Sequence, residues 1–215
     1  MTRRGIRESG QAAPLYVTMV AGLLFLALAF FAVGQAGAAR NGAQSGADAA
    51  ALAAAQESRD AFGDEFLANF FDPDFLENVF NGDLVGPFVG CPAAEQLADK
   101  NDVTVKPGEC RPADGFRWGV TVGVETQEPM GDNILADTAD EKAEATATAV
   151  VVPRCTFERA PEEEEPEEGE EPEEGADEPS LPGEIRCDGG LLDLNPTNLV
   201  LPDMSVLFSV RLAED

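Results

Sequence analysis

Carboxylates are the commonest reactive groups in this 215-residue chain: 41 aspartates and glutamates stand against 14 lysines and arginines, for a formal charge of −27, and there is no histidine. Paired carboxylates can hydrolyse glycosidic bonds when two of them converge on a sugar. No pair here is marked as convergent, and one tryptophan and one tyrosine offer little surface on which to stack a sugar. Without imidazole the chain lacks the usual general base, triad member and metal ligand. No serine sits in a Gly-x-Ser-x-Gly elbow, and Lys100, Lys106 and Lys142 lie in polar settings. Asp72 with Asp74, and Asp137 with Asp140, lack the glycine and terminal glutamate of a calcium loop. Nucleic acid is a poor partner for so acidic a surface, because phosphate binding needs a basic footprint. These residues point to a protein that is not an enzyme, with no catalytic residue, no metal and no cofactor.

The remaining chemistry is thiol chemistry. Cys91, Cys110, Cys155 and Cys187 are widely spaced, with no Cys-x-x-Cys for metal or redox work. An even number in an exported region reads as structural disulfides, and four cysteines allow three connectivities. Closure of the shortest loops favours Cys91 with Cys110 and Cys155 with Cys187. The second pair would staple the two ends of an acidic tract, residues 161–182, which holds twelve acidic residues and no basic one. Like-charge repulsion together with Pro166, Gly169, Pro172, Gly175 and Pro179 predicts a disordered, solvated loop there.

Export is implied by the first forty residues. No charged side chain occurs from Ser9 to Ala39, and residues 15–33 are nearly all apolar. Nineteen residues make a helix of about 28 Å, close to the hydrocarbon thickness of a bilayer. Arg3, Arg4 and Arg7 precede it and a strongly acidic region follows. The positive-inside rule then leaves residues 1–14 as a basic cytoplasmic leader and places the rest outside the cell membrane, on a single span. The rival is a secretory signal cut after Ala36-Gly37-Ala38, but the apolar run exceeds the usual ~7–15 residues.

Beyond the span, residues 34–59 are rich in alanine and predict a helical stalk. Ala39, Ala43, Ala47, Ala51 and Ala55 recur at i, i+4, with Gly42 and Gly46 as a small-xxx-small pair beside them. So smooth a face allows close helix packing, on a partner or on the chain's own sheet.

Two motifs flank this span: Gly10-Gln11-Ala12-Ala13-Pro14 before it and Ala47-Asp48-Ala49-Ala50-Ala51-Leu52-Ala53-Ala54-Ala55 after it. Together they resemble the N-terminus of the Flp-pilus-assembly TadE/TadG-like family, over about a quarter of the chain. The resemblance implies a membrane-anchored, pseudopilin-like envelope component of a pilus-assembly or related secretion system, whose partners are other membrane-anchored pilus-assembly or pilin-like helices. It also implies leader cleavage after Gly10, leaving Gln11 first. Leu15 then stands at the fifth mature position, where pilins usually carry glutamate.

The exported part, residues 60–160 and 183–215, reads as α+β. Phe62, Phe66 and Phe70 at every fourth residue predict an amphipathic helix with a core face. Asp72 before Pro73 predicts an N-cap, with a second helix stopping at Asn81-Gly82. Alternation predicts strands over 116–125 and 204–212, each with one face on the core and one toward water, and residues 143–152, alternating and then all valine, read as a central strand. An antiparallel sheet backed by these helices is the same general plan as a pilin-like domain. The alternative from another class is an exported binding module, with the first helix a simple tether or cleaved signal and the ligand unknown.

Overall fold

The computed structural model describes residues 12–129, 140–161 and 181–213. The Gly10–Gln11 junction, Asp137 and the acidic tract from 162 to 180 lie outside the described residues.

One helix dominates. α1 runs unbroken through Ala12–Asp60, 49 residues and about 73 Å at 1.5 Å per residue. Its sequence explains its continuity, since alanine and leucine fill it and Pro14 sits in the first turn, where a missing N–H costs nothing. Its two parts live in different surroundings. Residues 13–42 are exposed or nearly so, whereas Ala43, Ala47, Ala50, Ala51, Ala54, Ala55 and Ser58 are fully buried. These positions follow i, i+4, i+7, i+8, a stripe two rows wide that lies on the sheet. The buried stripe begins at Ala43, within the stretch 34–59 expected as a stalk, because the domain packs on the helix itself.

The main sheet is antiparallel, in the order β1-β2-β3-β7. Its strands are β1 (Val103–Pro112), β2 (Gly119–Thr126), β3 (Glu144–Pro153) and β7 (Phe208–Leu212). The helices α2 (Gly63–Ala68), α3 (Pro73–Phe80) and α4 (Cys91–Asp99) complete the core. A small second sheet, β4-β5-β6, joins Cys155–Arg159, Gly183–Cys187 and Gly190–Leu191. The fold class is the α+β arrangement expected, with a long apolar N-terminal helix.

Phenylalanines close one end of this core. Phe62, Phe66 and Phe70 are buried, and the Phe62 ring meets Trp118 at 5.1 Å and Phe208 at 5.9 Å, both edge-on. Such aromatic pairs contribute about 0.5–1.5 kcal/mol each beyond burial. Asp72 caps α3 as its position predicts, its carboxylate accepting from the backbone N–H of Asp74 and Phe75 at 2.9 and 3.2 Å.

Three expectations need correction. The strand expected over 204–212 is strand only from Phe208. Met204–Leu207 is a helical turn, α5, whose N-cap Asp203 accepts from the Ser205 N–H at 2.8 Å. The cap overrides the alternation: Met204, Leu207 and Phe208 are buried and Val206 is exposed, a helical spacing. The strand expected from Phe116 begins at Gly119, with Phe116 in the exposed turn before it. Finally, β2 turns neither face to water, for Gly119–Val124 are all buried. On its outer side β1 bulges over residues 106–109 and lays Glu109 across Gly123, where a Cβ would stand 3.0 Å from the Glu109 Cβ. Next to it the Thr121 and Thr148 hydroxyls bond at 2.8 Å.

Candidate assembly surface

The residues singled out for packing separate into two groups. Ala43, Ala47 and Ala51 are fully buried inside this chain. Gly46 belongs with them, since a Cβ there would lie 2.5 Å from the Val103 Cγ2 of β1. Gly42 stands apart: a Cβ there meets nothing within 4 Å, and the same holds at Gly22, Gly34 and Gly37. The stripe from Gly42 to Ala55, expected to pack on a partner or on the chain's own sheet, takes the second course where it is buried. Its buried part serves the protein's own sheet and α4, and the surface left for a partner is residues 13–42. Sequence could not choose between these because a small-residue stripe suits either neighbour equally well.

That open surface is apolar. The helix is long and apolar enough to cross a membrane, with a mean hydropathy of 2.4 in its most apolar window, none of it buried. Phe25, Phe30 and Phe31 are among the large side chains it exposes. An uncovered apolar cylinder of this length would not persist in water, where the largest exposed patch on a typical monomer is a few hundred Å².

Two disulfides hold the folded domain behind it. Cys91 pairs with Cys110, tying the start of α4 to β1, and Cys155 pairs with Cys187 across the β4–β5 ladder. The ladder runs on to Arg159 opposite Gly183, so the acidic tract is inserted between two strands that are already paired and cross-linked. Arg159 ties this small sheet to α3 through Asp74 and Glu77. Its bonds to these two carboxylates hold the guanidinium in its charged form, raising its pKa. Neither α4, β1 nor the second sheet was expected. Their signals were masked by the prolines and charges of 103–112 and by the shortness of β4 to β6.

Most of the described cations are paired at the surface, among them Lys106 with Glu144 at 2.7 Å, Lys142 with Glu125 at 2.8 Å and Arg154 with Asp188 at 3.2 Å. The bond to Glu144 raises the Lys106 pKa. Exposed pairs of this sort contribute little stability. A cleft of about 200 Å³ opens at the phenylalanine end, lined by Leu84, Phe116, Arg117, Trp118 and Phe208 among others. Trp118 packs against Gly86, and its indole N–H has no acceptor. The Arg117 guanidinium stands there among largely apolar walls.

No curated protein and no solved structure matches the chain. One family model does. The stretch it covers, residues 10–57, takes in α1 almost end to end, both the exposed apolar half and most of the buried stripe. It matches the family described as putative Flp pilus-assembly TadE/G-like.

Proposed function

We propose that this protein is a membrane-anchored, pseudopilin-like component of a Flp/Tad-type pilus-assembly or related envelope secretion system, with a structural rather than catalytic role. The observation that carries the reading is a coincidence of boundaries: the family match at 10–57 falls on a helix whose first half is exposed and apolar and whose second half is seated on the sheet. A long helix free at one end and laid on a four-stranded antiparallel sheet at the other supports a pilin-like plan. On this reading residues 15–33 span the cell membrane with the basic N-terminus in the cytoplasm, the disulfide-linked domain lies outside, and helices of other pilus-assembly components pack along residues 13–42. There Gly22, Gly34, Gly37 and Gly42 let a partner backbone come close. Photo-crosslinkers placed at Gly34 and Gly42 test this in the producing cell. Adducts with other membrane-anchored assembly proteins are expected, and adducts with none of them overturn the reading.

The apolar cleft beside Trp118 favours a second reading, an exported binding module for which α1 is only a tether. Under it, Phe116→Ala should abolish ligand capture while leaving assembly intact.

A further inference from the structure

The domain comes lower than a stalk would allow. Ala36 lines a cleft with Arg40, Lys142, Ala143 and Glu144, at the start of β3. From there α1 and β3 climb together, α1 meeting Val103 at Gly46, and Phe62, just past the end of α1, meeting Trp118 and Phe208. The apolar run ends at Val33. At 1.5 Å per residue Ala36 is about 4.5 Å past its end and Arg40 about 10 Å. The polar layer of a bilayer is about 5–7 Å thick on each side. The start of β3, beside Ala36, therefore lies at headgroup depth, and the Arg40 backbone about 3–5 Å beyond that layer, from which a long side chain bends back toward phosphate.

We propose that this end of the domain is a phospholipid headgroup seat, in which Arg40 and Lys142 contact phosphates of the outer leaflet. The inference rests on the membrane-spanning reading of residues 15–33. Its charge arrangement suits individual phosphates. Lys106 pairs with Glu144 and Lys142 with Glu125, so a phosphate in the cleft shares the Lys142 ammonium with Glu125. Exposed Asp140 and Glu141 stand just before Lys142 and weigh against a broad attraction to anionic membranes. The seat therefore recognises the phosphate that every phospholipid carries and shows no strong preference for net-anionic lipid. Functionally it would fix the height and azimuth of the domain over the membrane, presenting the same side of the helix to every partner.

The test is amide hydrogen exchange of residues 140–149 in the full-length protein, compared between phosphatidylcholine nanodiscs and phosphate-free maltoside micelles. Exchange is expected to be several-fold slower in the nanodiscs. The Arg40→Gln/Lys142→Gln double variant should lose that protection, and Arg154→Gln, which removes a cation from the other end of β3, should keep it. Because Lys142→Gln also breaks the pair with Glu125, Arg40→Gln alone is the second variant and should lose part of the protection. Equal exchange in nanodisc and micelle, or full protection in the double variant, overturns the seat. If inorganic phosphate added to the micelles restores the protection, the site takes free phosphate and the lipid assignment is wrong. Failure of the protein to enter nanodiscs at all would instead defeat the membrane-spanning reading.

Discussion

Gly42 and Gly46 are one turn apart on the same helix, yet the structure predicts opposite responses to a side chain. At Gly46 a new Cβ would lie 2.5 Å from Val103 Cγ2 and 2.9 Å from Cγ1, about 0.6–1 Å inside the distance at which carbons ordinarily touch. Val103 is itself buried, at the first position of β1, so it has nowhere to retreat. Overpacking of this kind costs about 1–3 kcal/mol. Replacing glycine by alanine in a helix returns about 1 kcal/mol, so Gly46→Ala should be mildly destabilising and Gly46→Leu should cost about 3 kcal/mol. At Gly42 the space is open, so Gly42→Ala keeps only the helix gain, about 1 kcal/mol in the stabilising direction. The chain has one tryptophan, Trp118, and it is buried in the core, so its fluorescence follows urea unfolding of the full-length protein in a mild detergent. With an m-value of about 2 kcal/mol/M, Gly46→Leu should lower the midpoint by roughly 1.5 M. A Gly46→Leu midpoint equal to that of the parent would refute the intrachain packing and return the whole stripe to partner helices.

The disulfides close loops with sequence separations of 19 and 32; on the chain-entropy account, changing both cysteines of either pair to serine should cost about 3–4 kcal/mol in the same urea assay. Asp72→Ala removes the α3 cap and should cost about 1 kcal/mol, whereas Asp74→Ala, whose carboxylate faces only Arg159, should change the midpoint far less. The bond from Ser205, aided by the charge of Arg59, lowers the Asp203 pKa below its ordinary 3.8. A depressed carboxylate stabilises above its unfolded pKa and loses that contribution as pH falls through the folded one. The gap in Tm between the parent and Asp203→Ala should thus be constant above pH ~4 and narrow at more acid pH. A gap that widens on acidification would contradict the cap.

Much of the fold was legible because its determinants are local. Asp72-Pro73 announces a helix start by the chemistry of two adjacent residues, and the period of Phe62, Phe66 and Phe70 announces a buried face. Loop closure singled out the two pairs of cysteines that the structure joins. What stayed hidden depends on contacts between distant residues. The four residues bulged out of β1 make sense only with Gly123 beneath Glu109. The alternation in 204–212 looked like a strand until Asp203 was seen to cap Ser205. Least legible was the assembly surface. Alanines and glycines at i, i+4 announce close packing without naming the neighbour, which shows only in the burial of Ala43 and the contact of Gly46 with Val103.

If the exposed half of α1 holds the protein in the membrane, the intact mass of a C-terminally tagged protein from alkali-washed membranes of the producing cell shows it. A membrane-retained chain beginning at Met1, or at Gln11 if the leader is removed, is expected, with residues 15–33 present in either case. A freely soluble chain beginning at Ala39 would contradict it and leave the exported binding module as the better description.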